Sequence, residues 1–419
     1  MTLQAVTEDH RIIRYVTSSA LPYLATLIVG LGVGGYLQYL WQFFPSGIPV
    51  IKGQSAGVWG GGITVAVAGL VWLRYRGTRT PAPALNWFFA VVLVTWVAMI
   101  TLQWVHHDAH DYTVWIYPIV VGMLWLKTPN LADVRSGLFV LAWLGTAMLA
   151  GTRIAELTGV LPMVPVPQDL VVFEVGEYWL PLSGWLGPEG RWPGPLNGTA
   201  YTGMLGALLL VLAVALWSRW SWVFGFVGAV TVLLTSSRGA FAAVAVGIAV
   251  ALLFSDEEWL RWLSMRWRLA LGALGTLATF GMLLKSSPGL TGRTTFWPDF
   301  LHLWASSPIT GVGATGMATG TSATYSAKSA HNLVIDELAR NGLLGFGLLL
   351  AALVIGTYLA MRPALSRFGG PLALVAAFLT LGVANTPTSW LSPSMLWMFL
   401  IMPIIWAGSW LAERVSTKS

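Results

Sequence analysis

Cysteine is absent from the 419-residue chain. That excludes disulfide bridges and thiolate metal centres, although it says little about compartment. Charge is scarce as well: 10% of residues are Asp, Glu, Lys or Arg, against 56% hydrophobic, and the mean hydropathy is +0.70. A soluble domain carries roughly 25% charged residues, so this composition does not describe one. There is also no basic block. Lys and Arg are scattered between apolar runs, so the net charge of +6 reads as membrane topology, not as affinity for nucleic acid.

What the chain has instead is apolar sequence in lengths near the roughly 20 residues that cross a bilayer. About twelve such runs are read, centred on 21–44, 55–73, 85–105, 112–126, 137–151, 199–217, 221–235, 239–254, 269–284, 342–361, 371–389 and 393–411. The fourth and fifth are short, which leaves the count open by one or two. Backbone polar groups find no water in lipid, so the runs are expected to be helices, giving an all-α polytopic membrane protein. Arg11 and Arg14 precede an apolar segment too long for a signal-peptide core, and a retained first helix is expected there.

With the N-terminus inside, fifteen of the 23 Lys and Arg residues fall in inner segments and eight in outer ones, as the positive-inside bias expects. This orientation puts two long loops, 152–198 and 285–341, on the extracytoplasmic side, and loops of that length are usually functional. The first is rich in proline and acids. The second is rich in glycine, serine and threonine and holds a short amphipathic helix. Among the outer cations, Arg340 follows Asp336 by four residues and Glu337 by three, the spacings of helical ion pairs, and a structural pairing is expected for it. Arg191, Arg238 and Arg293 have no such local partner in the sequence.

Each remaining motif has a structural and a functional reading. In LLTSSRGAFAAVAVG, 233–247, an outward helix ends at Ser236-Ser237-Arg238-Gly239 and the next begins at once. Arg238 is then either a snorkelling arginine on a tight hairpin or a cation at the membrane edge that takes an anionic ligand. In 289–317, Phe296, Phe300 and Leu303/Trp304 recur at helical spacing, the pattern of an interfacial helix with Arg293 ahead of it. Arg293 touches lipid headgroups or an anion at the helix start. GVGATG at 311–316 has the letters of a dinucleotide loop without the strand and helix that loop requires, so glycine flexibility is the better explanation.

HHDAHD at 106–111 has metal-binding residue types, but its spacing is cramped and a solvated loop is favoured. RWPGPLNGT, 191–199, offers Arg191 and Asn197 as donors to a sugar or phosphate, or else a turn before a helix. In AHN, 330–332, Ser329 as cap would put His331 in a first helical turn, where the dipole keeps the imidazole neutral and able to accept a proton. The alternative is a capping or interfacial histidine. Asp336 and Glu337 lie off its face and are poor groups to orient it.

Taken together, R-x-x-G-x-x-N at 191–197, S-R-G at 237–239, G-R-x-x-x-W at 292–297, S-P-x-x-G-V-G at 307–313 and A-H-N with G-L-L-G at 330–345 resemble the O-antigen ligase and O-antigen polymerase family of bacterial membrane glycosyltransferases. The resemblance covers chiefly 190–361; the first five helices are generic. It implies a helical, C-type glycosyltransferase fold with the site outside the cytoplasmic membrane of a bacterium. It also implies a metal-independent, inverting transfer of a glycan from undecaprenyl diphosphate to an acceptor hydroxyl on a lipid or glycan, with no cofactor. Under it, His331 is the catalytic base, Arg238, Arg293 and, more loosely, Arg191 hold the diphosphate, and Asn197 and Asn332 contact substrate. One departure is that Arg340-Asn341 stand where the family often has Glu.

Two other classes compete. A transporter of a lipid or anionic solute would put coupling charges near the midplane and show broken helices. A cell-wall glycan polymerase of the shape and division type would share the lipid donor, with an essential outer aspartate and no A-H-N element.

Overall fold

A computed structural model describes residues 20–22, 24–29, 67–73, 83–107, 116–161, 192, 194–196, 199–235, 237–255, 264, 266–267, 270, 293–313, 316–317, 330, 332–384, 396 and 398–416. Among these, 87% are helical and none forms a strand. The helices are α1 (Pro83–His107), α2 (Ile116–Leu126), α3 (Leu131–Leu157), α4 (Thr199–Leu216), α5 (Ser221–Thr235), α6 (Arg238–Phe254), α7 (Arg293–Ser306), α8 (Leu333–Leu365), α9 (Gly370–Ala384) and α10 (Met398–Ser416). Helical residues also occur at 24–29 and 67–73. Among the described residues three helices, α3, α8 and Met398–Val415 of α10, are long and apolar enough to cross a membrane; Leu85–Thr101 of α1 and the helices α4, α5, α6 and α9 are apolar but shorter.

The helices are apolar around most of their circumference, and the packing uses this in two directions. Inward, Trp96 of α1, Leu208 and Leu212 of α4, Phe378 of α9 and Phe399 and Trp406 of α10 share one buried core. Outward, Trp222 and Phe226 of α5 and Val354 of α8 are 70%, 66% and 58% exposed. Leaving such side chains in water forgoes about 1.5–3 kcal/mol each, so this outer surface suits a lipid solvent. With little hydrophobic drive between helices in lipid, close backbone approach through small residues takes over. A Cβ on Gly228 of α5 would lie 2.6 Å from the Gly206 carbonyl oxygen of α4, so these two helices meet backbone to backbone.

Polar contacts fix the two ends of the bundle. At one end, Asn130 caps α3 through the Asp133 amide, and Asp133 Oδ2 accepts from the Ala20 amide at 2.8 Å. The same end joins Arg135 to the Leu216 carbonyl, Arg367 to the Leu253 carbonyl and the Leu131 amide to Glu413. The other end therefore gathers the C-terminus of α3, the N-terminus of α4, the α5–α6 turn, the N-terminus of α8 and the C-terminus of α9.

In α8 the helix is broken rather than continuous. Gly342 has φ +65° and ψ −165°, and the backbone groups it releases are taken up by the segment 307–313. The Val312 amide donates to the Ala339 carbonyl at 2.9 Å, and the Leu343 and Leu344 amides donate to the carbonyls of Pro308 and Ile309. The apolar run read at 342–361 begins at this break, and helix extends nine residues ahead of it, to Leu333.

Candidate functional site

Arg238 is the first residue of α6 and is half-buried. Ser237 is the N-cap by backbone geometry, with φ −82° and ψ 111°, yet its hydroxyl makes no cap bond. A guanidinium at a helix N-terminus opposes the helix dipole, and both it and the first-turn amides favour an anion there. The turn is held from behind by α4: a Cβ on Gly203 would lie 2.7 Å from Ser237 Cβ and 2.8 Å from Thr235 Oγ1.

Trp192 brings the 191–197 element to this turn. Its amide donates to the Leu234 carbonyl at 3.1 Å, three residues before Ser237. Its indole Nε1 donates to Glu156 Oε2 at 2.7 Å, and Glu156, at the end of α3, also pairs with Arg153 at 3.1 Å. The Arg153 guanidinium lies 5.8 Å from the Trp192 ring centroid. Glu156 is 4% exposed, and these donors offset part of the cost of burying a carboxylate there. Gly194, with φ +57°, opens a short 3-10 turn, Gly194–Leu196, against Thr202 of α4. The neighbours Arg191 and Asn197 lie outside the described residues.

The A-H-N element reaches the same end through α9. Asn332 is the N-cap of α8; its Oδ1 accepts from the Val334 and Ile335 amides at 3.0 and 3.2 Å, and its Nδ2 donates to the Val383 carbonyl at 3.0 Å. α9 runs antiparallel to α6, with Gly369 against Phe254 and Gly247 against Ala377. That register carries Arg238 level with the C-terminal end of α9, where Asn332 is tied. The cap is thus Asn332 and not Ser329. Contrary to the expectation from the sequence, the first turn of α8 begins after His331, so a first-turn dipole does not keep its imidazole neutral; His331 itself lies outside the described residues. Asn332→Ala removes both the cap and the tether and is expected to cost about 1–2 kcal/mol in thermal unfolding.

Behind Asn332, four polar side chains are buried on the first three turns of α8. Asp336, Glu337 and Asn341 are 0% exposed and Arg340 is 9% exposed. Arg340 Nη2 meets Asp336 Oδ2 at 3.3 Å, which is the structural pairing expected from the spacing. Asp336 Oδ1 accepts from the Ala330 amide at 3.0 Å, and Asn341 Nδ2 donates to Glu337 Oε2 at 2.6 Å. Asp336 therefore anchors the chain directly before His331. The backbone of Arg293 opens α7, whose Phe300 is buried with Ala330 and Ala339 and whose Trp297 Nε1 donates to the Ala330 carbonyl at 3.0 Å.

Within GVGATG, Gly311 and Gly313 both have φ +70°, and a Cβ on Gly311 would fall on the backbone carbonyl of Arg340. Backbone approach to α8, not phosphate binding, accounts for the first of these glycines. Among the described residues no three His, Asp or Glu side chains are grouped to hold a metal; Asp108, His110 and Asp111 lie outside them.

Trp192 and Glu156 were not singled out from the sequence. The R-x-x-E spacing of Arg153 and Glu156 was a usable signal, but nothing local points to a partner 36 residues away. Neither a protein-family model nor a curated protein matches the chain.

Proposed function

We propose that the chain is a multi-pass glycosyltransferase of the bacterial cytoplasmic membrane. It would move a glycan from undecaprenyl diphosphate to an acceptor hydroxyl on the extracytoplasmic side, in the manner of an O-antigen ligase. The supporting observation is the convergence, at one end of the bundle, of the segment around Trp192, the S-R-G turn and the start of α8. Trp192, Arg238 and Asn332, which stand in or beside three of those motifs, are far apart in sequence and lie at that one end.

In the proposed reaction His331 takes the proton of the acceptor hydroxyl, whose oxygen attacks the anomeric carbon from the face opposite the diphosphate. The glycosidic C–O bond breaks, and undecaprenyl diphosphate leaves with the electron pair and with inversion. Arg238 and Arg293, with Arg191, would meet the charge on the leaving group through permanently charged, forked donors. Asn197 and Asn332 would contact the substrates. The donor linkage already stores the energy of transfer, so neither nucleotide nor metal is required.

The twelve spans and the outward orientation belong to this proposal. The depth of the α8 break supports it over the transporter reading, which the break otherwise favours. Residues 343–365 alone rise roughly 34 Å, enough for the roughly 30 Å hydrocarbon core. The buried charges at 336–340 then lie beyond that core, at the end of Arg238, and not at the midplane.

The test is reconstitution of the full chain with an undecaprenyl-diphosphate-linked glycan and a lipid acceptor. The expected result is glycosylated acceptor and free undecaprenyl diphosphate, unaffected by chelators. Movement of the donor across the bilayer with its glycosidic bond intact would replace this reading with the transporter. Deletion in the source organism separates the family's two branches: accumulated lipid-linked polymer indicates a ligase, and a surface glycan of single repeats indicates a polymerase.

A further inference from the structure

At the end of the bundle opposite Arg238, basic side chains sit on aromatic rings. Lys127 Nζ lies 4.3 Å from the Trp72 ring centroid, and Arg414 lies 4.1 Å from that of Trp410. Arg362 lies 5.1 Å from the Tyr358 ring and donates to its hydroxyl, and Arg219 lies 5.5 Å from the Trp220 ring. All four belong to one end, because α3 ties its N-terminus to α4 through Arg135 and to α10 through Glu413, and Arg367 ties the end of α8 to the end of α6.

Among the described residues, this end holds the cations Lys127, Arg135, Arg219, Arg362, Arg367 and Arg414 and the acids Asp133 and Glu413, of which Asp133 is buried. At the opposite end Arg153 and Arg340 are matched by Glu156 and Asp336. Aromatic side chains are also exposed here: Trp217 and Trp220 in the α4–α5 turn and Trp222 at the start of α5 are 49%, 42% and 70% exposed. Exposed tryptophan rings favour the headgroup level of a bilayer, where one edge is wet and the other apolar. A guanidinium lying over a ring keeps its N–H groups in its own plane, and those not already bonded, as Arg362 Nε and Nη2 are to the Tyr358 hydroxyl, suit phosphate oxygens.

We infer that this girdle of cation–aromatic pairs is a binding surface for anionic phospholipid headgroups, at the face opposite the proposed transfer site. Juxtamembrane cations attract an anionic leaflet by about 1 kcal/mol each, so several acting together give a lipid preference large enough to measure. The inference needs a membrane protein but not the transfer reaction.

The test uses the full chain in nanodiscs of phosphatidylcholine alone or with about 30% phosphatidylglycerol, which gives the bilayer a negative surface potential. Thermal unfolding and lipid retention in native mass spectra are the readouts. The expected results are a higher Tm and retained phosphatidylglycerol with the anionic lipid, both diminished at about 0.5 M salt as screening shortens to a few Å. The triple variant R219Q/R362Q/R414Q should fold to the same helix content and lose the greater part of both responses. A wild-type protein indifferent to the anionic lipid would overturn the proposal, as would a triple variant that keeps the full response. Should the triple variant fail to fold, R219Q alone, in an exposed turn, is the deciding protein: it must lower phosphatidylglycerol retention, and unchanged retention counts against the surface.

Discussion

Gly342→Ala is expected to destabilise the protein by about 2–6 kcal/mol, one of the largest effects available from adding a single methyl group. Two costs combine. A non-glycine residue at φ +65° carries roughly 1–3 kcal/mol of backbone strain. The added Cβ would also fall on the Ile309 carbonyl and lie 2.6 Å from the Gly311 amide nitrogen. Those are backbone atoms held by the bonds from Leu343 to Pro308 and from Leu344 to Ile309, so relief means breaking the bonds that repair the helix. Overpacking of this kind costs about 1–3 kcal/mol. Gly347→Ala, five residues on in the same helix, is the control: nothing lies within 4 Å of its added Cβ, so it is expected to be neutral or slightly stabilising. Thermal unfolding of both variants in one detergent makes the comparison. A Gly342→Ala protein as stable as Gly347→Ala would mean that 307–313 does not seat in the break.

The same pair of segments shows what sequence carries and what it omits. The glycines of 311–313 and 342 were legible as parts of motifs, and for 311–313 their flexibility was legible as the reason. The partner was not, because Gly311 meets the Arg340 backbone, a contact between segments that periodicity does not connect. Helix existence was legible from apolar runs, and the Asp336–Arg340 pair from i,i+4 spacing, since both are local. The start of α8 was misread because Ser329 and Asn332 are comparable caps. The choice between them rests on tertiary contacts: Asn332 Nδ2 reaches Val383, and Asp336 turns back to hold the Ala330 amide. Glu156 and Trp192 illustrate the opposite limit. A carboxylate at the end of one helix and an indole in a loop meet only because α3 and α5 end at the same level.

On the proposed function, Arg238→Ala is expected to lower the rate of glycan transfer by about 10²–10³-fold, the loss typical of one preorganised group facing developing charge. Arg238→Lys is the sharper variant. It keeps the charge but replaces a planar fork with a point donor on a flexible stem, so most of the loss should remain. Stability should change little in either, because Arg238 opens α6 half-buried and the helix continues from it. His331→Ala is expected to lower the rate by about 10²–10⁴-fold through loss of the base, with donor binding retained. The two variants then separate by what they bind: Arg238→Ala should weaken retention of undecaprenyl diphosphate itself, whereas His331→Ala should not. A lysine variant with full activity would remove forked diphosphate binding from Arg238, and a fully active His331→Ala would remove that residue from catalysis. Asp336→Asn adds a positional check. It loses the charge that pairs Arg340 and weakens the anchor on Ala330, directly before His331. If His331 acts as the base, Asp336→Asn should lower transfer without weakening retention of the diphosphate, reproducing in milder form the pattern of His331→Ala.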